Sequence, residues 1–588
     1  MATSADMSSL PLEIIINALS PHLTKHDLTN CVCVNKRWHN IFTPLLWESI
    51  SFVNTQEVEA GIVWMVDLAK ITRFRRFERS AIEAGALHKN GRWIRKVDAG
   101  FCGMLDLLTG TTDGGGARAG EEVVCDALME LEIGDDRSSD IYMNPANQLP
   151  KSQPQDVHVT SVVTLLQRPQ GRLRKLTFLD TLLRNNAENS VRMIRAIPSS
   201  VEDLSISDWS VSLSTSSAFS SESKEPLLSS LKTLSVTRSN VDNILLVLKR
   251  SPMLETLTLK DWFYPTSDRP PWYLLATTIR EFCPRLTSLL LVDCPPYSDD
   301  EFAELLGASA SGWKTLGFPR RYDAYGYGND AHKFGPLSVE ALLKHCATIE
   351  NLRLEGCSEF PSWAIQEVLC SSTRLRRLDA ISKERYRGRN VQLDAGDVVD
   401  VRASRGRGKR EWACLSLESL KIHITGIPRG GVSSNNTKTS RTGTIGQEQD
   451  IQRQIYKQLG RMTQLKQLVL GHELKNPRTI YQPEEGASLE GTHPFGVPYE
   501  ERPLFSAGYQ DSCLEMTLAS GLGLLEGLKE LRFIETGGMA VGVEGDEEVE
   551  WRKKFWPLLQ SREEEEGGGK ERRWMDAFWV RFGYKEYY

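Results

Sequence analysis

The chain has 588 residues, of which 40% are hydrophobic and 25% charged, and its formal net charge is −6. Such a chain can bury a large core, and its acidic balance excludes a surface that binds nucleic acid throughout. The 11 cysteines are scattered, unlike the dense framework of a small secreted domain. The opening residues do not resemble a secretory leader, and no apolar run approaches ~18 residues. We therefore expect a cytoplasmic or nuclear protein without a membrane span.

Three short helices are predicted in the N-terminal segment. Pro11 suits the first turn of a helix, and Thr24 and Asp27 form a capping-box pattern that starts a second. Pro44 is expected to end the helical pattern, because proline removes a backbone hydrogen bond. The apolar residues of the later helices recur every three to four positions, at Leu28, Cys31, Val34, Trp38 and Ile41.

These helices carry more apolar surface than three short elements can bury among themselves. An exposed apolar face usually marks a partner site. The alternative is that the same face packs on the rest of the chain and caps it.

The ordered motifs "LPLEIIINALSPHL", "HDLTNCVCVNKRWHNI" and "LLW" resemble an F-box over residues 8–50. An F-box binds a Skp-type adaptor, which links it to a cullin in a ubiquitin ligase. The resemblance implies that six residues belong to the adaptor interface or to its support: Leu10, Pro11, Ile14, Leu28, Val34 and Trp38.

A hexamer of the form apolar-x-x-Leu-x-apolar recurs through the rest of the chain. The seven intervals from Leu173 to Leu375 average about 29 residues, which is in the range of leucine-rich repeats. A degenerate earlier copy follows Trp93. The twelve copies begin at Leu128, Leu173, Val201, Leu231, Leu254, Leu286, Trp313, Ile349, Leu375, Leu417, Leu465 and Leu528.

Helical patterns precede many of these hexamers, as in "VDNILLVLKRSPM" and "WYLLATTIREFCPR". Alternating strands and helices predict an α/β solenoid, with parallel strands on the concave face and helices on the convex face. The expected organisation is an F-box (8–50), a helical linker (51–92), a leucine-rich-repeat solenoid with polar loop insertions (93–540), and an acidic and aromatic tail or cap (541–588).

Two hexamers are flanked by cysteines, Cys283 with Cys294 and Cys346 with Cys357. This arrangement resembles the cysteine-containing subclass of leucine-rich repeats. We expect small buried thiols that fill turns, rather than a metal site or a disulfide.

No catalytic, cofactor or metal motif is recognisable, so the sequence predicts a non-catalytic protein that binds a target. A basic run, Arg402 to Arg410, leaves nucleic-acid binding open as a rival, although a solvated loop is the simpler interpretation. Six charged residues lie beside the buried leucines and are the candidate target contacts. Their mixed signs suit a protein partner better than nucleic acid; they are Lys260, Arg353, Glu355, Arg377, Asp379 and Lys421.

Overall fold

The computed structural model describes most of the repeat and the N-terminal helices. The described residues are 11–50, 86–99, 108, 125–133, 155–168, 172–179, 187–209, 228–262, 272–295, 297–319, 334–355, 357, 359–381, 391–399, 411–427, 445–470, 514–515, 517–535 and 546–559. Leu10, the basic run Arg402–Arg410 and most of the expected linker 51–92 lie outside them.

The strands of the described residues are short, and most of them lie in one sheet. Fourteen run parallel in chain order, while β12 and β14 pair with each other in a separate small sheet. In chain order they are β1 (Ser49–Ile50), β2 (Lys96–Ala99), β3 (Glu130–Ile133), β4 (Lys175–Phe178), β5 (Asp203–Ser207), β6 (Thr233–Thr237), β7 (Thr256–Lys260), β8 (Ser288–Val292), β9 (Thr315–Gly317), β10 (Asn351–Arg353), β11 (Arg377–Asp379), β12 (Gln392–Asp394), β13 (Ser419–Lys421), β14 (His423–Thr425), β15 (Gln467–Val469) and β16 (Phe533–Glu535).

Helices connect most of these strands. The mixed α/β architecture with a long parallel, solenoid-like sheet is the fold that the sequence predicts, and it is confirmed. The helices are α1 (Leu12–Ile14), α2 (Lys25–Val32), α3 (Lys36–Trp47), α4 (Ala86–Asn90), α5 (Gln155–Gln167), α6 (Ala187–Ala196), α7 (Val241–Leu248), α8 (Trp272–Phe282), α9 (Asp299–Leu306), α10 (Pro336–Leu343), α11 (Ser362–Ser371), α12 (Ala395–Val399), α13 (Ile445–Gly460) and α14 (Asp546–Phe555).

The hexamer explains how the core is built. Its fourth residue occupies the same position in neighbouring strands, so that Leu204, Leu234 and Leu257 are partners across β5, β6 and β7. Strand side chains alternate between faces, and these leucines are fully buried while the residues between them reach solvent. Each repeat therefore adds one layer to a continuous core.

The first eleven hexamers coincide with strands, but the twelfth prediction is wrong by three residues. Ile534, not Leu531, is the strand partner of Leu468. Leu531 instead occupies the first position of the hexamer, with its N–H donated to the carbonyl of Leu528. The observed register has Ile534 in place of the fourth leucine and Thr536 in the sixth position, so it departs from the hexamer and only the strand pairing reveals it.

The prediction that Pro44 ends a helix is also wrong, because α3 continues through it to Trp47. Proline in a helix removes one hydrogen bond to the carbonyl four residues earlier. That carbonyl belongs to Asn40, an exposed residue, so water can replace the missing donor.

The segment 546–559 packs on the end of the solenoid. Trp556 is fully buried, and its Nε1 donates to the carbonyl of Leu525 at 3.3 Å. Trp551, Phe555 and Leu559 pack against the same core. Among the described residues, no helix combines the length and the apolar content that crossing a bilayer would require.

Candidate functional site: an apolar helical face and a polar sheet face

The N-terminal helices have a small core of their own. Ile15, Leu28 and Phe42 are its buried residues, and Trp38 packs against them with its ring centroid 5.4 Å from that of Phe42. Two of the six predicted adaptor-interface residues, Leu28 and Trp38, therefore support the helices from within.

Caps fix where α2 and α3 begin. The predicted capping box is present, since Thr24 Oγ1 accepts from the Asp27 N–H at 3.2 Å and Asp27 Oδ2 accepts from the Thr24 N–H at 2.9 Å. The hydroxyl and backbone of Thr24 both donate to Asp27, and these bonds lower the pKa of its carboxyl. Asn35 Oδ1 caps α3 by accepting from the Trp38 N–H at 2.9 Å.

Apolar side chains outside this core are exposed on the same helices. Leu12 and Ile14 on α1 are each 45% exposed, and Val34, in the turn between α2 and α3, is 60% exposed. Pro11, which precedes α1, is exposed as well. Of the predicted interface residues, Pro11, Ile14 and Val34 are thus exposed to a partner. Leu12, which was not predicted from the sequence, is exposed beside them.

The helices are joined directly to the sheet. Strand β1 follows α3 after one residue and pairs with β2, so the sheet begins inside the segment 8–50. Lys25 Nζ donates to the carbonyl of Ser49 at 2.5 Å, and Glu48 pairs with Arg95 at 3.1 Å. Trp47 packs against the large core.

The solvent-facing side of the sheet changes character along the solenoid. On β5, β6 and β7 it presents mainly hydroxyls, with Ser205, Ser235 and Thr258 aligned across the three strands. On β8 the aligned residue is Leu290, and on β9 it is Gly317. A Cβ at Gly317 would lie 2.4 Å from Leu290 Cδ1, so the leucine covers the glycine.

Four predicted target-contact residues come together on β10, β11, β13 and the residues just after β10. Arg353, Asp379 and Lys421 are aligned across these strands. Arg353 pairs with Glu355 at 3.0 Å, and Lys421 pairs with Asp379 at 3.0 Å. Burial raises the pKa of the Glu355 carboxyl, an effect that Arg353 offsets only in part. These four charges therefore largely neutralise one another.

The other two predicted target contacts, Lys260 and Arg377, are placed differently. Lys260 ends β7, and Arg377 begins β11 and is exposed. Within the described residues, neither has an ion-pair partner within 4.0 Å. Neither is held in a direct ion pair, although Arg377 lies close enough to Glu418 to add to the lowering of its pKa, which the hydrogen bond from Lys466 dominates.

The four repeat cysteines are buried free thiols. The thiols of Cys283 and Cys357 donate to the carbonyls of Leu248 and Phe318 at 3.4 and 3.1 Å. Burial raises the pKa of Cys283 to about 12. Cys283 and Cys357 therefore tie neighbouring repeats together, and Cys283 is a poor nucleophile.

Comparison with known proteins gives one family match, at the N-terminus. The chain is also similar to the crystal structure of the Rad7 and Elc1 complex in yeast, with 14% identity, a TM-score of 0.31, and coverage of 67% of this chain and 94% of that one. A leucine-rich-repeat protein of Leptospira interrogans gives 12% identity, a TM-score of 0.27, and coverage of 81% and 97%. At these TM-scores neither likeness bears on function, and no curated protein matches the sequence. The F-box-like family matches residues 7–53, so the N-terminal helices form an F-box-like domain.

Proposed function

We propose that this protein is the target-recognition subunit of a cullin-type ubiquitin ligase. Its F-box-like domain binds a Skp-type adaptor, and its leucine-rich-repeat solenoid binds the protein to be ubiquitinated. The observation that carries the proposal is the exposure of Leu12, Ile14 and Val34 on a domain whose own core is complete without them.

The exposed face supports docking rather than capping alone. A capping role requires that the apolar face of the helices be buried on the repeat. Trp47, at the end of α3, and Ile50, in β1, are packed on the repeat core in this way. Leu12, Ile14 and Val34 instead remain in solvent. Burial of partly exposed aliphatic side chains contributes roughly 1 kcal/mol each to association.

In this role the protein needs no catalytic residue. It holds a target lysine beside a conjugating enzyme carried by the ligase, and the gain in rate comes from the raised effective concentration. The direct connection between α3 and the sheet suits this role, because it limits the positions that a bound target can take relative to the adaptor. The same role places the protein in the cytoplasm or the nucleus.

The polar sheet face is the proposed target surface. Of the six predicted contacts on this face, Lys260 and Arg377 are the two without an ion pair among the described residues, whereas Arg353, Glu355, Asp379 and Lys421 pair among themselves. We therefore assign the first contact with an acidic target segment to Lys260 and Arg377. The four paired residues contribute the neighbouring part of this surface on β10, β11 and β13.

A pull-down with a purified Skp-type adaptor tests the docking half of the proposal. The variant carries Ile14→Asp and Val34→Asp, which place charges on the exposed face and leave the core intact. Its matched control carries Leu415→Asp and Leu524→Asp, two leucines that are 45% exposed on the repeat. The proposal predicts capture of the wild type and the control but not of the variant. Equal capture of all three, or of none, would leave only the capping scaffold.

Crosslinking in cell extract, with the adaptor bound, tests the target half. Lys260→Glu with Arg377→Glu should abolish the crosslinked target species. Lys249→Glu with Arg285→Glu, two exposed cations beside the ends of α7 and α8, should leave it unchanged. If the crosslinked species persists with Lys260→Glu and Arg377→Glu but is lost with Lys249→Glu and Arg285→Glu, the target is not recognised on the sheet face.

A further inference from the structure

An apolar row crosses the ends of four consecutive helices. Tyr273, Leu337 and Trp363 are the second residues of α8, α10 and α11, and they are 48%, 53% and 44% exposed. Leu274, next to Tyr273, is 58% exposed. Scattered apolar residues are ordinary on a surface, but three large ones at the equivalent position of three repeats, with Leu274 beside the first, form a row that only α9 interrupts.

Helix α9 connects the two halves of this apolar row. The Tyr273 hydroxyl donates to Asp300 Oδ2 at 2.5 Å, so the ring lies against the first turn of α9. On the other side, the Leu337 N–H donates to Asp299 Oδ2 at 3.0 Å. Tyr273 contacts Asp300 and the Leu337 backbone contacts Asp299, so two adjacent aspartates of α9 lie between them.

The surroundings of the apolar row are acidic. The first five residues of α8, α9, α10 and α11 include Asp299, Asp300, Glu301 and Glu340, and none of these twenty positions is basic. Asp299 is satisfied by backbone N–H groups and Glu340 pairs with Lys344 at 3.3 Å, so Asp300 is the exposed acid at the edge of the row that the described residues leave without an ion pair. A ligand that fits would combine large apolar side chains with cations.

The end of the chain has this chemistry. The structure describes the chain to residue 559, and residues 570–588 read "KERRWMDAFWVRFGYKEYY". Seven of these nineteen residues are aromatic, and five are basic against three acidic, in a chain whose net charge is −6. Trp574, Phe578 and Phe582 recur every four residues, a spacing that predicts an amphipathic helix, with Arg573 and Arg581 beside them.

We propose that residues 574–582 dock on the end of the apolar row formed by Trp363 and Leu337, with Trp574, Phe578 and Phe582 against these two side chains and Arg581 toward Asp300. This inference is independent of the proposed function. It assigns an occupant to a face that the described residues leave open.

The segment is long enough to reach. Residues 560–573 span at most roughly 46 Å when extended. The segment after α14 packs beside the turn at Leu525. That turn contacts α13, α13 contacts α12, and α12 contacts α11. At a spacing of about 9 Å, these four steps place Trp363, the near end of the row, about 36 Å away.

Hydrogen exchange of the full-length protein, read by mass spectrometry, tests the docking. We expect backbone amides of residues 574–582 to exchange at least 10-fold more slowly than those of 562–569. The variant Tyr273→Ser, Leu337→Ser, Trp363→Ser should lose this protection while its strands stay protected. The control Leu415→Ser with Leu524→Ser, which removes equally exposed leucines elsewhere, should keep it.

A photo-crosslinker placed at position 578 of the full chain identifies the site directly. The proposal predicts intramolecular crosslinks to peptides that contain Leu337 or Trp363. Unprotected exchange at 574–582 in the wild type would overturn it. So would protection that survives the triple substitution, or crosslinks that appear only between two chains or on another surface.

Discussion

A single carboxylate links two repeats, and its removal should be measurable. Asp299, the first residue of α9, receives three backbone N–H donors from the start of α10. Gly335 and Ser338 donate to Oδ1, each at 2.8 Å, and Leu337 donates to Oδ2 at 3.0 Å. A side chain 36 residues earlier thus supplies the cap that α10 lacks locally.

The expected cost of Asp299→Ala is about 2 kcal/mol. Loss of a capping side chain costs roughly 0.5–2 kcal/mol, and hydrogen bonds to a charged group are at the strong end. Partial burial of Asp299 opposes ionisation, but the bonds from Ser338, Leu337 and Gly335 outweigh it and lower the pKa of the carboxyl. The stabilisation should therefore be complete above the pKa of an unfolded aspartate, about 3.9, and be lost as the pH falls through the lower folded pKa.

Gly335 provides a matched second substitution. A Cβ at this position would lie 2.4 Å from Asp299 Oδ2, yet the backbone φ of −116° is open to any residue. Gly335→Ala should therefore be costly only because it displaces the carboxylate. We expect a loss of about 1.5–2 kcal/mol in the wild type and close to none in the Asp299→Ala background.

Native-state hydrogen exchange of the α10 amides is the suitable assay, because it reports local opening in a chain too large for two-state unfolding. The four proteins of the cycle are compared at pH 7, and the wild type and Asp299→Ala again at lower pH. If the two substitutions add within about 0.3 kcal/mol, the cap does not act through this contact and the reasoning is refuted.

Three further substitutions address separate parts of the molecule. Leu28→Ala should destabilise the F-box-like domain by roughly 2–5 kcal/mol, seen as early loss of its amides in hydrogen exchange, because Leu28 is one of three buried core residues. Lys421→Met should cost about 1–2 kcal/mol, read from native-state hydrogen exchange of the β11 and β13 amides, because it leaves the largely buried Asp379 unpaired. Arg377→Ala should change the same quantity by less than about 0.5 kcal/mol. Trp556→Ala should cost roughly 3–5 kcal/mol locally and open α14 to limited proteolysis; resistance equal to the wild type would contradict its role as a cap.

The sheet could be predicted because each repeat places apolar residues at the same positions of its hexamer. A strand that buries alternate residues against identical neighbours needs an apolar residue in the same slots each time. Strands that lack this repeated pattern were not predicted. Strand β1 has only two residues, and β12 and β14 form a separate pair whose segments lack the hexamer. The register at Leu531 was misplaced because the segment from Leu528 fits the hexamer, whereas the one that pairs has Ile534 fourth and Thr536 sixth.

The candidate site was less predictable, since its properties depend on contacts between distant residues. Periodicity places Ile14, Leu28 and Val34 on apolar faces alike, and only the packing of α2 on α3 buries Leu28 and leaves the others exposed. Likewise, the charges on single strands do not reveal that Asp379 faces Lys421 across β11 and β13. The Lys421–Asp379 pair follows from the register of β11 and β13, whereas Arg353 pairs with Glu355 two residues further along the chain.

A calorimetric titration of a purified Skp-type adaptor into the full-length chain tests the central claim most directly. The account predicts saturable binding with a negative heat-capacity change, as expected when apolar surface is buried. Ile14→Asp with Val34→Asp should raise the Kd about 100-fold, and Leu415→Asp with Leu524→Asp should leave it within about threefold. Absence of binding by the wild type, or one Kd for all three proteins, would contradict the assignment of the exposed helical face to the adaptor.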